Sequence, residues 1–133
     1  MKFITTFSAA ILALQVAVPA QAQDAGAGQA EYMNSCASCH GASGTGDGPL
    51  AELMTVEVSD LTQLSAANDG AFPMLDVIMT IDGRSGIHGH GYPMPVWGNR
   101  FEADAEGMGD YASEIEVRGR VLSLAMYLQS IQQ

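Results

Sequence analysis

The sequence predicts an all-α domain, and three observations carry that expectation. Apolar residues recur at helical spacing near both ends of the chain. No stretch alternates well enough to be a strand: Val56-Glu57-Val58 is the best triplet, and it is too short. The remainder is punctuated by glycine and proline, as loops between helices are.

The C-terminal helix is the clearest element. Val117, Val121, Leu124, Leu128 and Ile131 follow one another at steps of four, three, four and three. Ser113 and Glu116 have the spacing of a capping box, so the helix is expected over about 113–131, with Arg118 and Arg120 on its surface. A second helix is expected from about Ala25 to Asn34, with Gly28 and Tyr32 on one face. Between these, Asp60 can cap Leu61 to Leu64, and Asn68-Asp69-Gly70 stops that segment. Phe72-Pro73 opens another helix, with Met74, Leu75, Val77, Ile78 and Ile81 as its apolar face and Gly83 as its end. Two long loops are left. One runs through Gly41, Gly44, Gly46 and Gly48 to Pro49; the other spans Gly83 to Gly98 and holds His88, His90, Met94 and Trp97. Loops this long in a small domain are usually functional or disordered.

Residues 1–22 read as a secretory signal. Lys2 supplies the positive start, Phe3 to Val18 an apolar run, and Ala20-Gln21-Ala22 a small-x-small cleavage site. The run is short for a permanent span, and an uncleaved anchor is the alternative. One domain over residues 23–133 remains, small enough that a buried cofactor would form much of its core. All 15 carboxylates lie beyond residue 22, against only Arg84, Arg100, Arg118 and Arg120, so this part carries a formal charge of −11. Such a surface repels phosphate and excludes nucleic acid as a natural partner. Beyond simple solubility, it predicts partners with basic docking surfaces, reached by steering that salt weakens.

The chain has two cysteines, and they stand in Cys36-Ala37-Ser38-Cys39-His40. Cys-x-x-Cys-His is the attachment signature of c-type haem. Two thiols at this spacing can each form a thioether to one porphyrin vinyl group, which leaves the next histidine beneath the iron. A structural zinc site would need a second pair of ligands, and no second cysteine pair exists. A thioredoxin-like pair would need a βαβ surround, whereas the flanks are helical or glycine-rich. Export supports haem: an exported chain with one close cysteine pair is not a disulfide scaffold, and attachment uses both thiols. The bacterial periplasm is the expected compartment.

Together these segments resemble the class I cytochrome c family, over essentially the whole of residues 23–133. The resemblance is carried by Cys36 to Gly41 with Gly44, Gly46, Asp47, Gly48 and Pro49. Met94-Pro95-Val96-Trp97-Gly98 is similar to the family's axial-methionine loop, and Gly28 and Tyr32 with Leu124, Tyr127 and Leu128 are similar to its crossed terminal helices. The resemblance implies one covalent haem c, attached through Cys36 and Cys39, with His40 as proximal iron ligand. It implies that the carbonyl of Pro49 accepts from the other ring nitrogen of His40, and that Leu50 and Leu53 pack on the haem edge. Met94 is the expected sixth ligand, with Met108, His88 and His90 as rivals. Met54 is set aside because it lies outside a Met-Pro loop. Trp97, Arg84 and Arg100 are candidate propionate partners, the arginines equally suited to salt bridges.

A His/Met pair fills both axial sites, so the expected function is electron transfer and not catalysis. No nucleophile–base constellation is visible, and the Gly44–Gly48 run lacks the lysine of a phosphate loop. A haem subunit of a larger periplasmic oxidoreductase would share the same fold and site, so the expected state is a monomer or one subunit of a complex. An enzyme or gas sensor would need an open sixth position. The acidic run from Glu102 to Glu116 reads as a solvated face or a docking patch.

Overall fold

The computed structural model describes residues 22–84 and 94–133. The proposed signal, His88 and His90 therefore lie outside the described residues, apart from Ala22. Five α-helices occur among them: α1 (Ala22–Ser35), α2 (Ala37–His40), α3 (Met74–Asp82), α4 (Trp97–Asp104) and α5 (Asp110–Ser130). Short 3-10 turns lie at Ala51–Leu53, Leu61–Gln63 and Ala66–Asn68, and no strand occurs among the described residues. None of these helices is long and apolar enough to cross a membrane.

The crossing of α1 and α5 is the largest packing contact. Gly28 permits it: a Cβ there would strike the carbonyl oxygen of Ser123 and lie 2.9 Å from Tyr127 Cβ. With the backbones that close, the Tyr32 and Tyr127 rings meet at 5.1 Å between centroids, tilted by 45°. Tyr32 is fully buried, and its hydroxyl donates to the carbonyl of Gly41 at 2.7 Å, which ties α1 to the glycine loop. The predicted stripe on α5 is buried at Val117, Val121, Leu124 and Leu128, and Ile131 packs beside it. On α3, Val77 and Ile81 face this core, whereas Leu75 is 68% exposed. Leu75 therefore leaves the predicted apolar face, because it sits two positions from Val77, on the far side of the helix.

Three boundaries differ from expectation. Helix α5 starts at Asp110, where Gly109 (φ 83°) turns the chain in, so Ser113 lies inside the first turn and caps nothing. Pro73 precedes α3 and does not occupy its first helical position. Helix α4 is not among the helices the sequence predicts; Phe101 is 1% exposed within it, and its ring meets Trp97 at 5.7 Å. The Trp97/Phe101 pair at i,i+4 was the signal for it, masked by the acidic residues around it. Asp60 does cap as expected, with Oδ1 accepting from Thr62 N at 2.8 Å. Asp69 (φ 52°) and Gly70 then turn the chain through left-handed geometry.

Two arginines stitch the helices together. Arg120 of α5 reaches Glu31 of α1 at 2.9 Å and Asp104 of α4 at 2.9 Å, with its guanidinium 3.9 Å above the Phe101 ring. Burial opposes the charge on Glu31, but the Arg120 bonds prevail and hold its carboxyl below the ordinary 4.5. The Arg84 guanidinium likewise holds Asp82 below 3.8. Both folded-state values are depressed, so the stability they contribute is present above the unfolded values and lost as pH falls through the folded ones. Thermal unfolding followed by circular dichroism is expected to be nearly constant above about pH 5 and to fall steeply below about pH 4. Glu31→Gln is expected to lower the melting temperature at pH 7 and flatten the acid decline. The same two arginines pair with Asp104 (Arg120) and Glu114 (Arg84) of the acidic run; Glu102, Glu106, Asp110 and Glu116 remain exposed.

Candidate functional site

Helix α1 runs into the cysteine pair with almost no break, since Cys36 N still bonds Tyr32 O at 2.8 Å. The turn of α2 places Cys39 N and His40 N on the carbonyl of Cys36, at 3.1 and 2.9 Å. Both thiols are free and partly buried. The glycine loop then folds under the pair. Gly46 N bonds His40 O at 2.8 Å, Gly48 N bonds Cys39 O at 3.1 Å, and Leu50 N bonds Ser38 O at 2.9 Å. A Cβ at Gly48 would come within 2.5 Å of the Cys39 carbonyl carbon, so only glycine fits that approach.

One cleft opens beside this motif, with about 730 Å³ of empty space, part of it open to solvent. Cys36, Cys39, His40 and Ser35 form one side. Met54, Val56, Glu57, Val58 and Ser59 form another, and Met94, Pro95 and Trp97 the third. The third side is braced from behind. Gly83 packs on Val96, and Gly98 lies so near Asp82 and Arg84 that a Cβ would strike the Asp82 carboxylate. The end of α3 thus anchors the segment that carries Met94 and starts α4.

His40 Nδ1 lies 3.1 Å from the carbonyl oxygen of Ser59. A carbonyl can only accept, so Nδ1 carries the proton and Nε2 keeps its lone pair free for a metal. Burial pushes the His40 pKa below its ordinary 6.5, against a smaller opposing effect of the Ser59 bond, so the ring is neutral at neutral pH. Burial also pushes the Cys36 thiol up to about 12, with Glu31 and Cys39 adding to it. A thiol held protonated in this way is a poor redox dithiol.

The structure sorts the other sequence candidates. Pro49 is not the partner of His40: it is exposed, its neighbours Gly48 and Leu50 bond the backbone of Cys39 and Ser38, and the carbonyl of Ser59 takes the role. Leu50 and Leu53 are 42% and 76% exposed and do not line the cleft; Met54 and Val56 do. Arg84 is turned away as well, with Nε 2.7 Å from Asp82 and Nη1 2.7 Å from Glu114. Two carboxylates satisfy that guanidinium, which leaves it no role as a propionate partner. Arg100 is the cation nearer the cleft, 5.4 Å above the Trp97 ring. Met108 is 55% exposed between two glycines of positive φ and lies outside the cleft. Sequence reasoning missed Ser59, because a backbone acceptor leaves no mark in side-chain identity. It also set Met54 aside, although Met54 shares the cleft.

The donor set fits a covalently held haem: two free thiols, a neutral imidazole with one nitrogen unengaged, a thioether, and an otherwise mostly apolar wall. His/Cys/Asp/Glu clusters able to hold a bare metal ion are absent among the described residues. The family model for cytochrome c matches residues 25–111, well over half of the chain. Neither the curated proteins nor the solved structures give a match. The matched span includes the attachment motif and the whole wall of the cleft, and the chain belongs to the cytochrome c family, as a haem-binding electron-transfer protein whose haem c is covalent.

Proposed function

We propose that this chain is an exported, single-haem electron carrier of the bacterial periplasm, with His40 and Met94 as axial ligands of the iron. The observation that carries the reading is the cleft, around which His40, both thiols and Met94 converge. The haem bound there supplies a one-electron couple at its iron. Cys36 and Cys39 fix it by two thioethers, so it stays with the protein through every cycle. His40 offers Nε2 in a tautomer held by the Ser59 carbonyl. Met94 takes the place a substrate would need, and a thioether in that place raises the potential. Met54, Val56, Val58, Pro95 and Trp97 keep water from the ring.

Export is supported by the charged start, apolar run and small-x-small site of residues 1–22. The formal charge of −11 on residues 23–133 supports basic partners. Electron transfer to a basic partner is expected to slow by roughly tenfold between 10 and 150 mM salt, measured by stopped-flow, as screening shortens to about 8 Å. A salt-independent rate would mean uncharged docking. The haem-subunit reading keeps one observation in its favour: Leu50, Leu53 and Val56, close together in the chain, are exposed apolar side chains, and Val56 belongs to the cleft wall. Size-exclusion of the native protein from its source separates the two.

The deciding experiment is an absorption spectrum of the purified holoprotein with a haemochrome assay. Covalent haem c with a methionine–iron charge-transfer band in the oxidised form is expected. Ready binding of carbon monoxide by the reduced protein at neutral pH would replace the carrier by a sensor or enzyme.

A further inference from the structure

A backbone carbonyl can be aimed only by the chain that carries it. Ser59, whose carbonyl holds His40 Nδ1, lies in an exposed stretch without regular structure. Its direction is set just downstream. Asp60 Oδ1 accepts from Thr62 N at 2.8 Å and from the Thr62 hydroxyl at 2.6 Å, which closes a tight turn directly after Ser59. Leu61 N donates to Gly44 O at 2.7 Å. From the opposite end of the chain, Gln132 Nε2 donates to Leu61 O at 2.8 Å and to Leu128 O at 2.7 Å, while its Oε1 accepts from Ser65 N at 2.8 Å. Gln133 N adds a bond to Thr62 O at 3.1 Å. Thr62, at the centre of these bonds, is 1% exposed. On the other side, Gly46 packs under the stretch so closely that a Cβ would strike Val58 O and lie 3.4 Å from Ser59 O.

We propose that Asp60 and Gln132 are positioning residues for the haem's proximal ligand. They form a clasp from the C-terminus that aims the Ser59 carbonyl at His40 and thereby sets the reduction potential. The inference rests on the reading of His40 as the iron ligand. An acceptor on Nδ1–H makes the imidazole a stronger donor to the metal, and a stronger donor favours the oxidised iron. Loosening the carbonyl weakens that donation and favours the reduced state.

The test uses the holoprotein in four forms: wild type, Gln132→Met, Asp60→Ala and Asp60→Asn. Gln132→Met keeps the length of the side chain and removes its donor and acceptor; Asp60→Asn keeps the oxygen that closes the turn. Two quantities are read, the redox equilibrium against a mediator couple and the exchange rate of the His40 ring N–H in the reduced protein by proton NMR. Gln132→Met and Asp60→Ala are expected to shift the equilibrium about threefold toward the reduced form. The ring N–H should exchange on the order of tenfold faster in both. Asp60→Asn should stay near wild type in both readouts. Unchanged potential and exchange in Gln132→Met would overturn the proposal while leaving His40 as ligand. Should Asp60→Ala yield no holoprotein, Gln132→Met decides alone, because its site lies beyond the end of α5. A wild-type protein without histidine ligation would instead overturn the ligand reading, and the clasp with it.

Discussion

Replacing Met94 by alanine is expected to open the sixth position of the iron. The reduced variant should bind carbon monoxide, the oxidised one should lose its charge-transfer band, and the potential should fall by on the order of 0.1–0.3 V. That is a fraction of the roughly 0.8 V over which axial ligands move haem potentials. The expectation comes from the wall of the cleft, where Met94 stands with His40 and both thiols, braced by Gly83 on Val96 and by Gly98 on the end of α3. Met108→Ala is the control from outside the cleft and should change none of these readouts. Met54→Ala is the control from inside it. Met54 is a thioether that lines the same cleft as Met94 and His40. A wild-type spectrum in Met94→Ala with a changed one in Met54→Ala would transfer the ligand role to Met54.

Substituting alanine for Gly28 is expected to give the largest loss of stability of any single methyl addition at the helix crossing. The new Cβ would strike the Ser123 carbonyl oxygen and press on Tyr127 Cβ at 2.9 Å, so α1 and α5 must separate. Overpacking costs about 1–3 kcal/mol, and the obstacle here is backbone, which cannot rotate away. The better helix propensity of alanine returns at most about 1 kcal/mol. The Tyr32–Tyr127 contact and the Tyr32 bond to Gly41 would loosen together, and with them the glycine loop under the motif. A fall in melting temperature of roughly 10 °C is expected for a domain of this size, with part of the loss in the yield of holoprotein. Gly119 on the outer face of α5 has nothing within 4 Å of a Cβ, and Gly119→Ala should be neutral or stabilising.

Much of the α5 face was legible from sequence, because burial of a stripe at helical spacing needs no knowledge of what covers it. Val117, Val121, Leu124 and Leu128 are buried as their spacing requires. The close approach at Gly28 could be read for a related reason: only a residue without a side chain admits a facing backbone and ring. Helix α4 was hidden, since its charged residues outweighed one aromatic pair, and Phe101 of that pair is covered by Arg120 of α5 only once the two helices pack. Arg84 was ambiguous for the same cause. A cation's partner is chosen by folding, and here Asp82 and Glu114 take it.

Sequence by itself determined the attachment motif, the helical class and the strongly acidic surface, since each depends on residue type and spacing along the chain. Tertiary structure alone decided which groups share the cleft and which carbonyl serves His40. Pro49 and Ser59 present the same backbone oxygen, and no side chain marks one over the other. The choice was made by a turn at Asp60, a buried threonine and two glutamines at the far end of the chain.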